Sequence, residues 1–222
     1  VWGDGKPITT EDVVFTWEIG RHRLSGVAGM EFYRSLYKID VIDAKTFTLH
    51  FDKRTFDYSA INGFLLVPKH IDKNNFAKPA EYKHQTAFDT DTANAGLYFG
   101  PYVISKVKPG SHVVLERNPK WWGKKPYFQR IIVRVIGNTA ALEANLLSGT
   151  IDMIAGELGL TVDQAVAFER RHGKKFNISY KAGLIYEHLD LNLDNPFLKD
   201  KRVRKALLYA LDRDLIVGQL FG

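Results

Sequence analysis

From Tyr186 to Leu193 the chain alternates, with Leu189, Leu191 and Leu193 set against Tyr186, His188, Asp190 and Asn192. A period of two predicts a strand with the leucines on one face and the four polar or aromatic residues on the other. The pattern breaks at Asn195-Pro196. It resumes at helical spacing with Val203, Ala206, Leu207, Ala210 and Leu211, and Asp200 is placed to cap that helix. Arg202 and Arg204 fall off the apolar stripe, where solvent or a neighbouring acid suits them.

The same two periods recur along the chain. "DGKPITTEDVVFTW" reads as a turn, then a helix opened by a Thr9–Asp12 capping box, with Val13, Val14 and Trp17 starting its stripe. "YKIDVI" and "TFTLHF" alternate about "DAK" and predict a hairpin. The apolar segment "INGFLLVPKH" follows, closed by Pro68. Residues 72 to 95 are polar and read as a long loop, of the kind that serves function or crosses between domains.

Beyond the loop, two strands are expected around Lys108-Pro109-Gly110. The near-continuous apolar run "RIIVRVI" predicts a strand buried on both faces. "NTAALEANLLSG" is a helix with Thr139 as its cap and Gly149 at C′, and "LTVDQAVAFERRHG" is a second, from Thr161 to Gly173. "IDMIA" and "KFNISY" read as short strands. Strands alternating with helices imply an α/β architecture with mixed sheets and flanking helices.

Composition narrows the chemistry. The 222 residues hold no cysteine, which excludes disulfides, thiolate metal sites and a cysteine nucleophile. The seven histidines show no i,i+4 ligand spacing, so no metal is expected. No G-x-S-x-G elbow and no phosphate loop occurs, and Ser111-His112 sits in a tight strand connection. No cofactor is implied. The net charge of +6 is interleaved with acids rather than gathered, which disfavours a nucleic-acid module. No charged and apolar leader opens the chain.

Aromatic residues, 13% of the chain, gather at turns. "NPKWWGKKPYF" reads as a core anchor through its Trp pair. "GLYFGPY" sets Tyr98 and Phe99 between glycines that would let a backbone approach a ligand, so there core and ligand wall stand level.

Four stretches in order, "DGKPITTEDVVFTW", "GPYVISKVKPGSHVVLERNPKWWGKKPYFQRIIVRVI", "ALEANLLSGTIDMI" and "HLDLNLDNPFLKDKRVRKALLYALDRDLIV", carry a family resemblance. The chain resembles the extracellular solute-binding proteins of the peptide, nickel and opine class, the binding components of ABC importers. "AGLYFGPY" departs from their commoner "GTGPY" form.

The resemblance implies a periplasmic binding protein-like fold and an internal fragment of a two-lobed protein. Residues 1–84 would belong to a small extra domain, 85–180 to the first lobe and 181–222 to the hinge strand and the start of the second. It further implies a periplasmic or lipid-anchored protein that hands peptides or similar solutes to a membrane permease. The solute would meet Tyr186, His188, Asp190, Asn192, Tyr98 and Phe99. The alternatives are an α/β hydrolytic enzyme and a basic nucleic-acid module. Cut off from the remainder, the piece is expected either to self-associate through residues 203 to 221 or to be disordered there.

Overall fold

The structure is a computed structural model and describes residues 1–54, 63–156, 159–181, 183 and 188–220. Tyr186 lies outside the described residues. The chain divides into two compact units, Val1–Val135 and Ile136–Gly222. Compactness is a different property from the lobe boundaries at 84 and 180 that the resemblance implies.

In the first unit, α1 (Thr10–Arg21) begins with the capping box its sequence predicts: Thr9 accepts from the first turn and the Asp12 carboxylate accepts the Thr9 N–H at 2.9 Å. It buries Val13, Phe15, Thr16 and Ile19. Helix α2 (Met30–Ser35) crosses α1 where Gly20 lies flat under the Tyr33 ring; a Cβ on Gly20 would fall 2.3 Å from that ring. A hairpin follows, β1 (Leu36–Val41) and β2 (Phe47–Phe51), with Ile39 opposite Leu49. Its hydrogen bond from Thr10 N to Ala44 O, 3.0 Å, ties it to the start of α1.

The polar stretch after Pro68 is not a loop. It folds into α3 (Lys69–Asp72), a 3₁₀ turn at Asn75–Ala77, α4 (Pro79–Tyr82), α5 (Ala87–Thr90) and a second 3₁₀ turn at Ala95–Leu97. The organiser is Asp72, which has no exposed surface. Its carboxylate accepts the Tyr82 hydroxyl, the Ala87 N–H at 2.8 Å and the Asn75 amide at 2.7 Å. A buried carboxylate is tolerated because each oxygen is hydrogen-bonded. Tyr82 then packs with Phe15 and Ile19 in the core.

The second sheet has order β3 (Tyr102–Lys108), β4 (His112–Arg117), β5 (Arg130–Arg134). Gly110, at φ 68°, makes the β3–β4 turn. Every strand pair among the described residues is antiparallel, so the sheets are small hairpin sheets and not mixed ones. The short β1–β2 and β3–β4 turns allow only antiparallel pairing, since parallel neighbours need a long crossover. Strand β5 is exposed at every position, against the expectation of burial on both faces. It is an edge strand, and its apolar side chains are not covered by the described residues. The Trp pair is likewise not a core anchor. Trp122 is 81% exposed, while Trp121 folds over Gly123 and donates to the Lys124 carbonyl at 3.1 Å.

The second unit holds α6 (Thr139–Leu147), α7 (Val162–His172), α8 (Lys201–Tyr209) and α9 (Arg213–Leu220). Asn138, one residue before the expected Thr139, caps α6 through the Ala141 N–H at 2.8 Å, and Gly149 takes the left-handed conformation two residues after the last helical one. Thr161 forms a capping box with Gln164 at the start of α7, and Asp200 caps α8. Residues 151–155 and 176–180 form no strand; Phe176 instead stacks on the buried Phe168, 5.4 Å between centroids.

Candidate functional site

The sequence-predicted site residues fall into two groups, one in each unit. In the first unit Tyr98 and Phe99 follow the Ala95–Leu97 turn, which Asn94 caps by accepting the Gly96 N–H at 3.0 Å. The Tyr98 ring serves the local structure. Its hydroxyl donates to the Thr92 carbonyl at 2.6 Å and its ring meets Phe88 edge-on. Burial pushes the phenol up from its ordinary value, and the Asp91 carboxylate pushes the same way. Phe99 differs: it stays 40% exposed while its ring packs edge-on against Trp2, 5.3 Å between centroids.

Trp2 has no exposed surface and belongs to a turn closed by Trp2 N to Lys6 O at 2.8 Å. That turn is docked on the Phe99 segment by Gly3 N to Tyr98 O, 2.7 Å. Gly3 permits the approach, because a Cβ there would fall 2.3 Å from the Ala95 carbonyl oxygen. Beside it, Asp4 and His70 pair at 2.8 Å. Partial burial works to raise the Asp4 carboxyl. The Lys6 N–H, the His70 hydrogen bond and the charges of His70 and Lys6 outweigh it and hold the group below its usual value.

In the second unit, residues 188–192 form no strand, contrary to the expected alternating ladder. No neighbouring strand is described for them to pair with. The spacing still shows locally: His188 Nε2 and Asp190 Oδ2 meet at 3.3 Å, as side chains two apart on one face can. Both are exposed, Asp190 at 95%. Asn192 is spent on its own turn, accepting the Asp194 N–H at 2.9 Å. Leu189 and Leu193, expected on a buried face, are 74% and 54% exposed.

Sequence reasoning passed over Asn118. It is 4% exposed, its N–H donates to Pro101 O at 2.9 Å, its Nδ2 donates to Gly100 O at 2.8 Å, and its Oδ1 accepts Lys120 N–H at 2.8 Å. The signal available was an Asn–Pro pair directly after a strand, which marks a turn.

Among the described residues no cluster of three or more His, Asp or Glu could hold a metal ion. Ser111 Oγ lies 3.0 Å from His112 Nδ1, a contact between sequence neighbours at a hairpin tip. No described helix is long and apolar enough to cross a membrane.

The chain is 29% identical over 223 residues to the oligopeptide-binding protein AppA of Bacillus subtilis, covering 98% of this chain and 38% of that protein. NikZ of Campylobacter jejuni, solved with Ni(L-His), superposes with a TM-score of 0.81 at 25% identity, over 98% of this chain and 41% of that one. The oligopeptide-binding protein of Thermus thermophilus, solved with a pentapeptide, gives 0.74 at 29% identity over 99% and 42%. The chain thus spans about two-fifths of the length of the relatives it matches. The family model for the bacterial extracellular solute-binding proteins, family 5, middle region, matches residues 1–222 in full. This chain belongs to that family of solute-binding proteins.

Proposed function

We propose that the whole protein is the solute-binding component of an ABC importer. It captures a peptide or a comparable small solute by closing two lobes around it, makes and breaks no bond, and passes the solute to a membrane permease outside the cytoplasm. The observation that carries this is the family match over all 222 residues, joined to superposition on relatives solved with a pentapeptide and with Ni(L-His).

Peptide is favoured over the other two classes by the relatives named for oligopeptides. It also suits the chemistry of the segment ending at Asn192. A peptide backbone offers donors and acceptors at a fixed repeat. Tyr186, His188, Asp190 and Asn192, spaced by two, supply both kinds. In the first unit Phe99, with 40% of its surface exposed, would offer an aromatic contact of its own, in keeping with small-molecule sites that are largely apolar. The His188–Asp190 pair would open or be shared when a solute takes one of its members.

Titration calorimetry of the full-length protein tests the proposal. The panel is a randomised pentapeptide mixture, the nickel–L-histidine complex and mannopinic acid. Saturable heat with the peptides and none with the other two is the expected result. Heat only with the nickel complex or the opine would move the solute class, and silence with all three would overturn the proposal.

A further inference from the structure

We infer that Trp2 is a positioning residue for Phe99, and that the pair forms a preset aromatic contact for the solute. The inference rests on the solute-binding reading above and goes beyond it. Three observations carry it. Phe99 keeps 40% of its surface exposed although the indole it packs against has none, so part of the ring remains available. Its ring packs at a T-shaped angle, 5.3 Å between centroids, on an indole with no exposed surface. Its backbone is gripped on both flanks, by Gly3 N to Tyr98 O at 2.7 Å before it and by the buried Asn118 on Gly100 O and Pro101 O after it.

The indole is itself held. Trp2 Nε1 donates to Asp12 Oδ2 at 3.3 Å, and Asp12 is 4% exposed. The same carboxylate closes the capping box of α1 through Thr9 N and receives Lys69 N at 2.9 Å on Oδ1. Helix α1, helix α3 and the N-terminal turn therefore all fix the indole that Phe99 packs against. On its other flank Trp2 meets the His70 ring, 6.4 Å between centroids, and His70 is anchored to Asp4.

An exposed phenylalanine on a mobile loop would lose rotamer and backbone freedom on meeting a ligand. One held this way loses little, and rigid aromatic contacts are strong for that reason. An incidental surface phenylalanine would not have a buried tryptophan, a glycine-mediated backbone contact and a satisfied buried asparagine converging on it. The ligand chemistry that fits is an apolar or aromatic side chain of a peptide, or an equivalent flat apolar group.

The test is a double-mutant cycle in the full-length protein, read by calorimetry with the randomised pentapeptide mixture. Phe99→Leu keeps bulk and removes the ring, and should weaken binding about 3- to 10-fold. Trp2→Leu should weaken it by a similar factor, and Trp2→Phe should restore most of the loss. The deciding value is the coupling: in the Phe99→Leu background, Trp2→Leu should cost no further affinity. A purely structural tryptophan would cost affinity equally in both backgrounds, and that result overturns the inference. So does a Phe99→Leu variant that binds like wild type, which needs no Trp2 variant to fold. If wild type itself binds no peptide, the peptide reading fails first and the inference with it.

Discussion

Asn118 donates from Nδ2 to the Gly100 carbonyl at 2.8 Å and so pins the turn that follows Phe99 to the strand end that follows β4. The contact joins the second sheet to the N-terminal turn, since the same turn is docked from the other side by Gly3. Asn118→Ala would leave the Gly100 carbonyl and the Lys120 N–H without this partner in a part-buried place. A loss of about 1–3 kcal/mol in unfolding free energy is expected by chemical denaturation. A change within ~0.5 kcal/mol, the ordinary surface range, would show that water replaces both bonds.

The buried Asp72 is the second stability test. Tyr82→Phe removes one donor to a carboxylate that has no exposed surface. We expect a loss of about 1–3 kcal/mol, the cost of leaving a buried acceptor short of a partner. Burial pushes the Tyr82 phenol well above its ordinary value, and the Asp72 carboxylate pushes it further. Ultraviolet titration should therefore find Tyr82 unionised until the protein unfolds in alkali. Ionisation near pH 10 in the folded protein would contradict this.

Asp4 predicts a pH dependence of definite sign. Its folded carboxyl lies below the ordinary 3.8, so its contribution is complete above that value and is lost as the pH falls through the depressed folded one. Asp4→Asn should destabilise at pH 7 and the gap to wild type should narrow below about pH 4. Melting curves at pH 7, 5 and 3 measure it. A gap that stays constant would assign the effect to hydrogen bonding alone.

How much of this was legible in the sequence depends on how local each cause is. The capping box at Thr9, the cap at Asp200 and both hairpins involve residues a few positions apart, and all are present where the sequence places them. Polarity predicts a loop over residues 72 to 95 where α4 and α5 form, because their organiser is a carboxylate whose donors, Tyr82 and Ala87, lie ten and fifteen residues away. Polarity alone made Asp72 look like a surface residue. Strand β5 was read as doubly buried because an apolar run shows what a strand would prefer and not whether a covering layer is present. Of the candidate site, Phe99 was named from its glycine-flanked setting. Trp2 and Asn118 were not, since their role appears only when residues far apart in sequence meet.

The apolar side chains left uncovered have a consequence for the 222 residues expressed alone. Ile132, Val133 and Val135 are 47%, 52% and 63% exposed, and Leu208 and Tyr209 are 48% and 81% exposed. Patches of this kind are uncommon on stable monomers. Light scattering at micromolar concentration should report a dimer or larger species. A clean monomer would refute the expectation.

The segment ending at Asn192 is tested in the full-length protein. Asp190→Ala and Asn192→Ala should each weaken peptide binding about 5- to 150-fold, corresponding to the loss of one buried hydrogen-bond partner. Asn192→Ala also removes the acceptor for the Asp194 N–H, so circular dichroism must show the fold retained. Unchanged affinity in both variants would place this segment outside the site.

Capture without chemistry is tested most directly by native mass spectrometry of the full-length protein incubated with the randomised pentapeptide mixture. The predicted spectrum shows one peptide per protein, released on activation with its mass unaltered. Protein that carries no peptide, or that returns peptide fragments in amounts growing with time, would contradict it.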